Sequence, residues 1–227
     1  MERIAEKIKI DSFTLKMIAM LSMLADHIGA VLFPEQILFR VIGRLAFPIF
    51  AYTLVEGFFY THDIKKYMCR IGILALLSEI PFDLTVSGKI LEFGHQNIFF
   101  TLFIGLVMMY FLMKSSGKFE MVTVSLVSFL IADLLRTDYG GVGVLMILCF
   151  YLFRDDMLWK TISVLFVNIA LMGGVQVFGV LALIPIYLYN GTQGKKMKWL
   201  FLRILSGASA CLVFNKNDFE LGKRRSE

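Results

Sequence analysis

The chain has 227 residues, of which 58% are hydrophobic and only 18% are charged, and its mean hydropathy is +0.73. These proportions exclude an ordinary soluble globular protein, whose surface needs more charged residues. The net charge of +5 calls for no nucleic-acid partner, because basic cytoplasmic loops of a membrane protein account for it. The three cysteines lie singly in apolar runs without metal-ligand spacing, so we expect no bound metal.

Apolar runs recur along the whole chain, and many reach the roughly 17–25 residues that a membrane-spanning helix requires. They predict an all-α, polytopic membrane bundle of about nine transmembrane helices, with eight or ten as the alternatives. The predicted segments are 14–33, 37–59, 67–86, 96–113, 121–136, 141–153, 158–172, 174–190 and 198–214. We take residues 1–214 as one transmembrane domain and 215–227 as a polar, disordered tail.

Two glycine pairs, in "YGGVG" and "MGGVQ", predict tight reversals between neighbouring segments. The basic residues predict the orientation, because they concentrate on one side of the bundle. They fall in the N-terminal segment and in the even-numbered connections: Arg3, Lys7, Lys9, Lys65, Lys66, Lys114, Lys118, Arg154, Lys160, Lys195, Lys196 and Lys198. By the positive-inside rule, the N-terminus is expected to be cytoplasmic.

Ionisable residues inside the apolar segments are the candidates for function, because a charge at the bilayer centre costs several kcal/mol and usually lines a cavity. They are Lys16, Asp26, His27, Arg40, Arg44, Glu56, Arg70, Glu79, Asp83 and Asp133.

Helical spacing relates the first of these candidates to one another. Lys16 and His27 are eleven residues apart, so they share one helix face at a separation of roughly 16 Å. Asp26 points about 100° away from His27 and cannot simply orient its ring. We expect Asp26 to pair instead with Arg40 or Arg44, which share a face at i, i+4.

Other interpretations of these residues stay open. His27 can equally be a packed, hydrogen-bonded structural residue, and Lys16 can extend its ammonium to the membrane interface. The two arginines can equally be structural counter-ions of Asp26 and Glu56.

Four further residues are expected to be solvated rather than functional. Glu79 and Asp83 flank a proline at a predicted helix end, which favours a solvated cap. His62 and His95 fall in predicted loops, where surface exposure is the default.

Residues 40–84 read "RVIGRLAFPIFAYTLVEGFFYTHDIKKYMCRIGILALLSEIPFDL". With "DHIG" before them, and with "HQNIFFTLFIGL" and "DLLRTDYGGVGVL" after them, they resemble the TraX family in motif order and spacing. The resemblance covers roughly residues 12–200. Near its end the chain departs from the family, because no proline and no histidine follow "GKKMKWLF"; the tail 215–227 is therefore atypical.

The resemblance implies an integral membrane protein, here of the bacterial inner membrane, in a family named for acetylating a pilin N-terminus. TraX proteins are similar to membrane acyltransferases that take acyl groups from cytoplasmic acyl-CoA. The resemblance therefore implies acetyl-CoA or another acyl-CoA as the donor substrate, and it implies no metal. The partners implied are the lipid bilayer and an extracytoplasmic acceptor, which can be a pilin-like N-terminus, a glycan or a small molecule.

The resemblance also implies roles for particular residues. Such acyltransferases often carry a basic residue ten positions ahead of an essential histidine, together with an R-x-x-x-R pair. Lys16 and His27, and Arg40 and Arg44, match these patterns, although a lysine replaces the usual arginine. In the resulting hypothesis His27 is the general base, and an arginine held by Asp26 stabilises the oxyanion or binds an acceptor carboxylate.

The phosphates of the donor are expected to bind basic residues at the cytoplasmic end, namely Lys16, Lys65, Lys66 and Arg70. Two alternatives remain. One is a proton-coupled membrane transporter, since buried ionisable groups also form proton relays. The other is a non-catalytic membrane scaffold.

Overall fold

The computed structural model describes residues 9–86 and 94–195, and its regular elements are helices. The α-helices are α1 (Ser12–Leu32), α2 (Ile37–Gly43), α3 (Ala46–Tyr60), α4 (Ile64–Val86), α5 (Ile98–Lys114), α6 (Lys118–Leu134), α7 (Gly140–Leu152), α8 (Met157–Phe166) and α9 (Leu183–Tyr187). A π-helical turn, Val167–Met172, continues α8, and a 3₁₀-helix, Gly174–Ala182, leads into α9. The predicted all-α class is confirmed for this part of the chain.

The first eight predicted segments each coincide with helical structure. The segment 37–59 is divided, because α2 ends at Gly43 and α3 begins at Ala46. The predicted segment 198–214 and the tail 215–227 lie outside the described residues.

The count of nine membrane spans is not confirmed. Within the described ranges, two stretches are long and apolar enough to cross a bilayer: Ser12–Ala30 and Ile37–Tyr60. The other apolar helices are shorter; the 17 residues of α5 extend about 26 Å, against a hydrocarbon thickness of about 30 Å. Helix α4 is long enough but carries several charged residues.

Helix α3 forms the centre of the bundle and packs against α1, α5 and α7. Twelve of its 15 residues are buried, and Phe47, Ile49, Ala51 and Val55 have no exposed surface. This explains why its sequence is apolar on every face rather than on one stripe.

Helix α6 presents an exposed apolar face, by contrast. Phe119 is 84% exposed and Leu134 is 82% exposed, and Val122, Leu126 and Leu130 lie between them on the same surface. Water would penalise such a continuous apolar face, whereas lipid tails would not. The face therefore agrees with a location in a membrane.

Tight turns and a backbone closure complete the fold. Gly140, Gly173 and Gly174 have positive φ angles, as the sharp reversals predicted at both glycine pairs require. Ile10, before α1, forms backbone hydrogen bonds with residues 188–190: its N donates to Leu188 O at 2.9 Å, and Asn190 N donates to Ile10 O at 3.0 Å.

Candidate functional site

A carboxylate held by two guanidinium groups joins α1 to the α2–α3 break. Arg44 Nη2 lies 2.6 Å from Asp26 Oδ1, and Arg40 Nη1 lies 3.0 Å from Asp26 Oδ2. The predicted pairing of Asp26 is thus confirmed, and with both arginines rather than one. Two guanidinium groups against one carboxylate leave this arginine cluster (Asp26, Arg40 and Arg44) with a net positive charge.

The cluster depends on a close approach of α1 and α2, which is possible because Gly43 has no side chain. A Cβ atom added at Gly43 would overlap the side chain of Asp26. Gly29 similarly leaves space for the side chain of Phe39 at the same helix pair.

A Gly43→Ala substitution should therefore force Asp26 away from its arginines. We expect the free energy of unfolding to fall by about 1–3 kcal/mol, as in other overpacked sites. The measurement is thermal or denaturant unfolding in detergent. Gly117→Ala is the matched control, because no atom lies within 4 Å of the added Cβ there; equal effects of the two substitutions would contradict the packing argument.

Arg44 is fixed by further contacts that the sequence analysis missed. Its Nε donates to Arg40 O at 3.3 Å, and its Nη1 donates to Gln176 Oε1 at 3.4 Å. Gln176 donates in turn to Asn168 Oδ1 at 3.2 Å, and Asn168 Nδ2 donates to Val164 O at 2.8 Å. A chain of amides thus links the arginine cluster to the π-helical turn.

Both amide residues are buried: Asn168 is 0% exposed and Gln176 is 8% exposed. A search for charged residues in apolar segments does not find these two amides. An amide in an apolar segment is nevertheless also a sign of a polar contact, because a buried polar group needs a hydrogen-bond partner. The π-helical turn is a second signal, since such turns often lie at functional sites. Its presence becomes visible only in the structure.

His27 lies beside the cluster on α1 and is partly buried. Its Nδ1 is 2.8 Å from Met23 O, and a carbonyl oxygen can only accept, so Nδ1 carries the proton of the neutral ring. Nε2 is then an unprotonated acceptor, with no hydrogen-bond partner in the described part of the chain. The α1–α2 loop and the helix ends beside it, residues 32–38, line a cavity of about 590 Å³.

The expected donor-binding residues lie on two helices, with Lys16 near the start of α1 and Lys65, Lys66 and Arg70 near the start of α4. Lys66 is paired with Asp63 at 3.2 Å and its side chain is 82% exposed, Lys65 is exposed, and Arg70 lies over the Tyr67 ring at 5.6 Å. Lys16 is partly buried on α1. Their role in donor binding stays a prediction.

Glu56 has a partner that the sequence analysis did not assign to it. Arg154 Nε lies 2.8 Å from Glu56 Oε1, and the Arg154 guanidinium stacks over Phe59 at 4.4 Å. The two arginines of the cluster are therefore not counter-ions of Glu56. Nearby, the ammonium of Lys160 faces the Tyr52 ring at 5.4 Å, and Lys160 is 5% exposed.

The interpretation of Glu79 and Asp83 as solvated residues is wrong. They are 7% and 2% exposed, because α4 continues through both positions to Val86 and packs against α5. Proline at position 81 does not end the helix.

Comparisons with known proteins support one assignment. The TraX protein family model matches residues 12–208. The chain belongs to the TraX family. The match includes every candidate site residue named above, whereas the tail 215–227 lies beyond it.

Two curated proteins are similar to this TraX chain. It is 27% identical over 191 residues to the probable fimbrial assembly protein FimC, serogroup H1, of Dichelobacter nodosus, covering 78% of this chain and 77% of that protein. It is 31% identical over 105 residues to the uncharacterized protein RP591 of Rickettsia prowazekii (strain Madrid E), covering 46% of this chain and 39% of that protein. No solved structure matches. Family membership and the apolar helices together indicate a membrane protein.

His95 is the second histidine that this TraX protein holds by a hydrogen bond. Its Nε2 lies 3.3 Å from Asp138 Oδ1, and this hydrogen bond raises the pKa of His95 above its ordinary value of 6.5. A raised pKa in the folded state means that the pair contributes stability below pH 6.5, and that this contribution is lost as pH rises through the raised pKa. Because the two side chains are 50% and 35% exposed, solvent screening keeps the contribution small.

The difference in melting temperature between the wild type and His95→Gln should therefore be largest in acid and vanish in alkali. Thermal unfolding in detergent across the pH range measures it. His62→Gln is the control, since His62 is exposed and without a partner in the described residues. A difference that grows with pH would contradict the expectation.

Proposed function

We propose that this chain is an integral membrane acyltransferase of the bacterial inner membrane. It moves an acyl group, in the first instance acetyl, from cytoplasmic acyl-CoA to an amine or hydroxyl of an extracytoplasmic acceptor. Membership of the TraX family and the similarity to a protein named for fimbrial assembly support this proposal. A pilin-like N-terminus is accordingly one candidate acceptor.

The observation that carries the proposal is the position of His27 next to a positively charged cluster. Asp26 and His27 are consecutive on α1, and Asp26 holds Arg40 and Arg44 in fixed positions. Nδ1 of His27 is occupied by Met23 O, which leaves Nε2 to accept a proton. Acyl transfer needs a free basic nitrogen and preorganised cations, and α1 carries both His27 and the carboxylate that holds the two arginines.

The reaction balances with these groups. Nε2 of His27 takes the proton of the acceptor N–H or O–H while the acceptor atom bonds to the thioester carbon. The arginine cluster stabilises the negative oxygen of the tetrahedral intermediate. As the C–S bond breaks, the sulfur of CoA leaves with the electron pair and receives the proton from the imidazolium, which regenerates His27.

The donor enters from the cytoplasmic end in this proposal. Lys16 and His27 are eleven residues apart on α1, which corresponds to about 16 Å along the helix. This is a span that the flexible arm of CoA can follow, with its phosphates near Lys16 and the basic residues Lys65, Lys66 and Arg70. The N-terminus is then cytoplasmic and His27 lies towards the opposite face.

A vesicle experiment tests both activity and direction. Acetyl-CoA does not cross a bilayer, so it is supplied outside either inverted or right-side-out membrane vesicles, with a primary amine acceptor on both sides. Release of free CoA is expected only with inverted vesicles, whose cytoplasmic face is outward. Equal release in both preparations would refute the direction, and no release in either would refute the acyltransferase.

A proton-coupled transporter is the second candidate. The partly buried pair Glu56–Arg154 and the buried Lys160 favour it, because such groups also form proton relays. Proton-driven uptake into proteoliposomes without release of CoA would support the transporter. If neither uptake nor release of CoA is observed, the non-catalytic scaffold is supported.

A further inference from the structure

Three unsatisfied atoms mark a second site. Among the described residues, the buried side-chain oxygen and nitrogen atoms without any hydrogen-bond partner are Glu79 Oε1, Thr101 Oγ1 and Thr137 Oγ1. Their residues are 7%, 0% and 3% exposed. Native proteins rarely leave buried polar groups unpaired, so each such atom calls for an explanation.

The residues that carry these atoms lie on elements that meet at one junction, formed by α4, α5 and the α6–α7 turn. Glu79 lies on α4, and its Oε2 accepts hydrogen bonds from the backbone N (3.2 Å) and the Nδ2 of Asn97, the N-cap of α5. Thr101 follows Asn97 by one helical turn. Thr137 lies opposite Gln96 in an isolated bridge, beside the hydrogen bond from Gln96 N to Arg136 O at 3.1 Å.

One oxygen of the Glu79 carboxylate is therefore fixed, while the other faces no donor. The His95–Asp138 pair lies at the solvent side of this junction, and it is half-exposed where Glu79 is buried. His95 and Glu79 are near enough to interact electrostatically. The buried carboxylate thus has a polar, partly exposed pair near it.

The charge of the junction is opposite to that of the arginine cluster. Glu79 and Asp138 provide two carboxylates, and Asp83 is near enough to Glu79 to interact with it electrostatically. In the described structure, His95 is a basic group that pairs with Asp138 and interacts electrostatically with Glu79. Asp138 is also within electrostatic range of Arg44, so the negative and positive sites lie at the same end of the bundle. An unpaired carboxylate oxygen in a negative site suits a cation that can donate hydrogen bonds.

We propose that Glu79, with the His95–Asp138 pair near it, binds a primary ammonium group. One N–H of the ammonium group donates to Glu79 Oε1. The ammonium can belong to a soluble amine or to the headgroup of an aminophospholipid, since the recognised group is the same. Binding stands by itself, whereas the further statement that this amine is the acyl acceptor rests on the proposed function.

The test uses the full chain in nanodiscs of phosphatidylcholine, without CoA. Ethylamine hydrochloride is titrated, and binding is followed by the shift in melting temperature and by calorimetry. Tetramethylammonium chloride is the control ligand, because it has the charge but no N–H. Ethylamine is expected to bind, tetramethylammonium is not, and Glu79→Gln should weaken ethylamine binding at least about tenfold.

Glu35→Gln is the matched variant, because Glu35 is an exposed glutamate at the same end of the bundle; it should bind ethylamine as the wild type does. If Glu79→Gln does not fold, Asp138→Asn in the partly exposed pair replaces it, and weaker binding is again expected. Equal affinity of the wild type and the Glu79 or Asp138 variant would overturn the proposal, as would equal effects of the two ligands.

Nanodiscs that contain phosphatidylethanolamine distinguish a lipid headgroup from a soluble amine as the source of the ammonium group. If the headgroup occupies the site, the melting temperature rises without added amine and ethylamine no longer binds. If a soluble amine is the ligand, ethylamine binds equally in both lipids. Either result supports an ammonium site. Since CoA plays no part in the measurement, failure of the acyltransferase proposal and failure of this one remain distinguishable.

Discussion

A His27→Ala variant is expected to lose acyl transfer by about two to four orders of magnitude, the usual contribution of a positioned general base. The reason is that Nε2 of His27 is the nitrogen left free to accept a proton once Nδ1 has bonded to Met23 O. Release of CoA by purified protein with a primary amine acceptor measures the loss.

The control for this variant is His62→Ala, which removes an exposed imidazole and should turn over normally. Because His27 is only partly buried, the melting temperature of His27→Ala should stay near that of the wild type. Wild-type turnover by a folded His27→Ala protein would refute the assignment of the base.

Arg44→Lys should be nearly as damaging as Arg44→Ala, with a loss of activity of roughly two orders of magnitude. The guanidinium of Arg44 uses three nitrogens in three directions, towards Asp26, Arg40 O and Gln176. A lysine ammonium is a single point and cannot replace this planar arrangement.

Arg40→Lys is the matched control, because Arg40 makes one ion pair and its side chain is 40% exposed. We expect it to retain a larger share of CoA release than Arg44→Lys does. If Arg44→Lys retained most of the activity, Arg44 would be a simple counter-ion of Asp26, and its contact with Gln176 would have no catalytic consequence.

Periodicity and chemistry predicted the part of the site that is local in sequence. Arg40 and Arg44 share a face because they are four residues apart, and the short loop after α1 returns them to Asp26; both facts can be read from the chain. The helices themselves follow from uninterrupted apolar runs. The division between α2 and α3 could not be predicted, because "RVIGRLAF" contains no proline before position 48 and its one glycine is compatible with a helix.

The contacts between distant segments could not be predicted. Gln176 meets Arg44 across 132 residues of sequence, and only the packing of the 3₁₀-helix against α2 and α3 brings them together. The error at Glu79 has the same origin. A proline nearby indicates a helix end, but the burial of Glu79 is decided by the arrival of Asn97 from the next helix.

The backbone closure between Ile10 and residues 188–190 has a consequence for biosynthesis. Ribosomes add about 5–20 residues per second, so Ile10 waits roughly 10–35 s before Leu188 and Asn190 exist to bond with it. During that interval the start of α1 has no partner for these hydrogen bonds, while α1 and α2 are already able to form their ion pairs. The order of synthesis thus allows Asp26, near one end of α1, to form its ion pairs early. The hydrogen bonds at the other end of α1 form later.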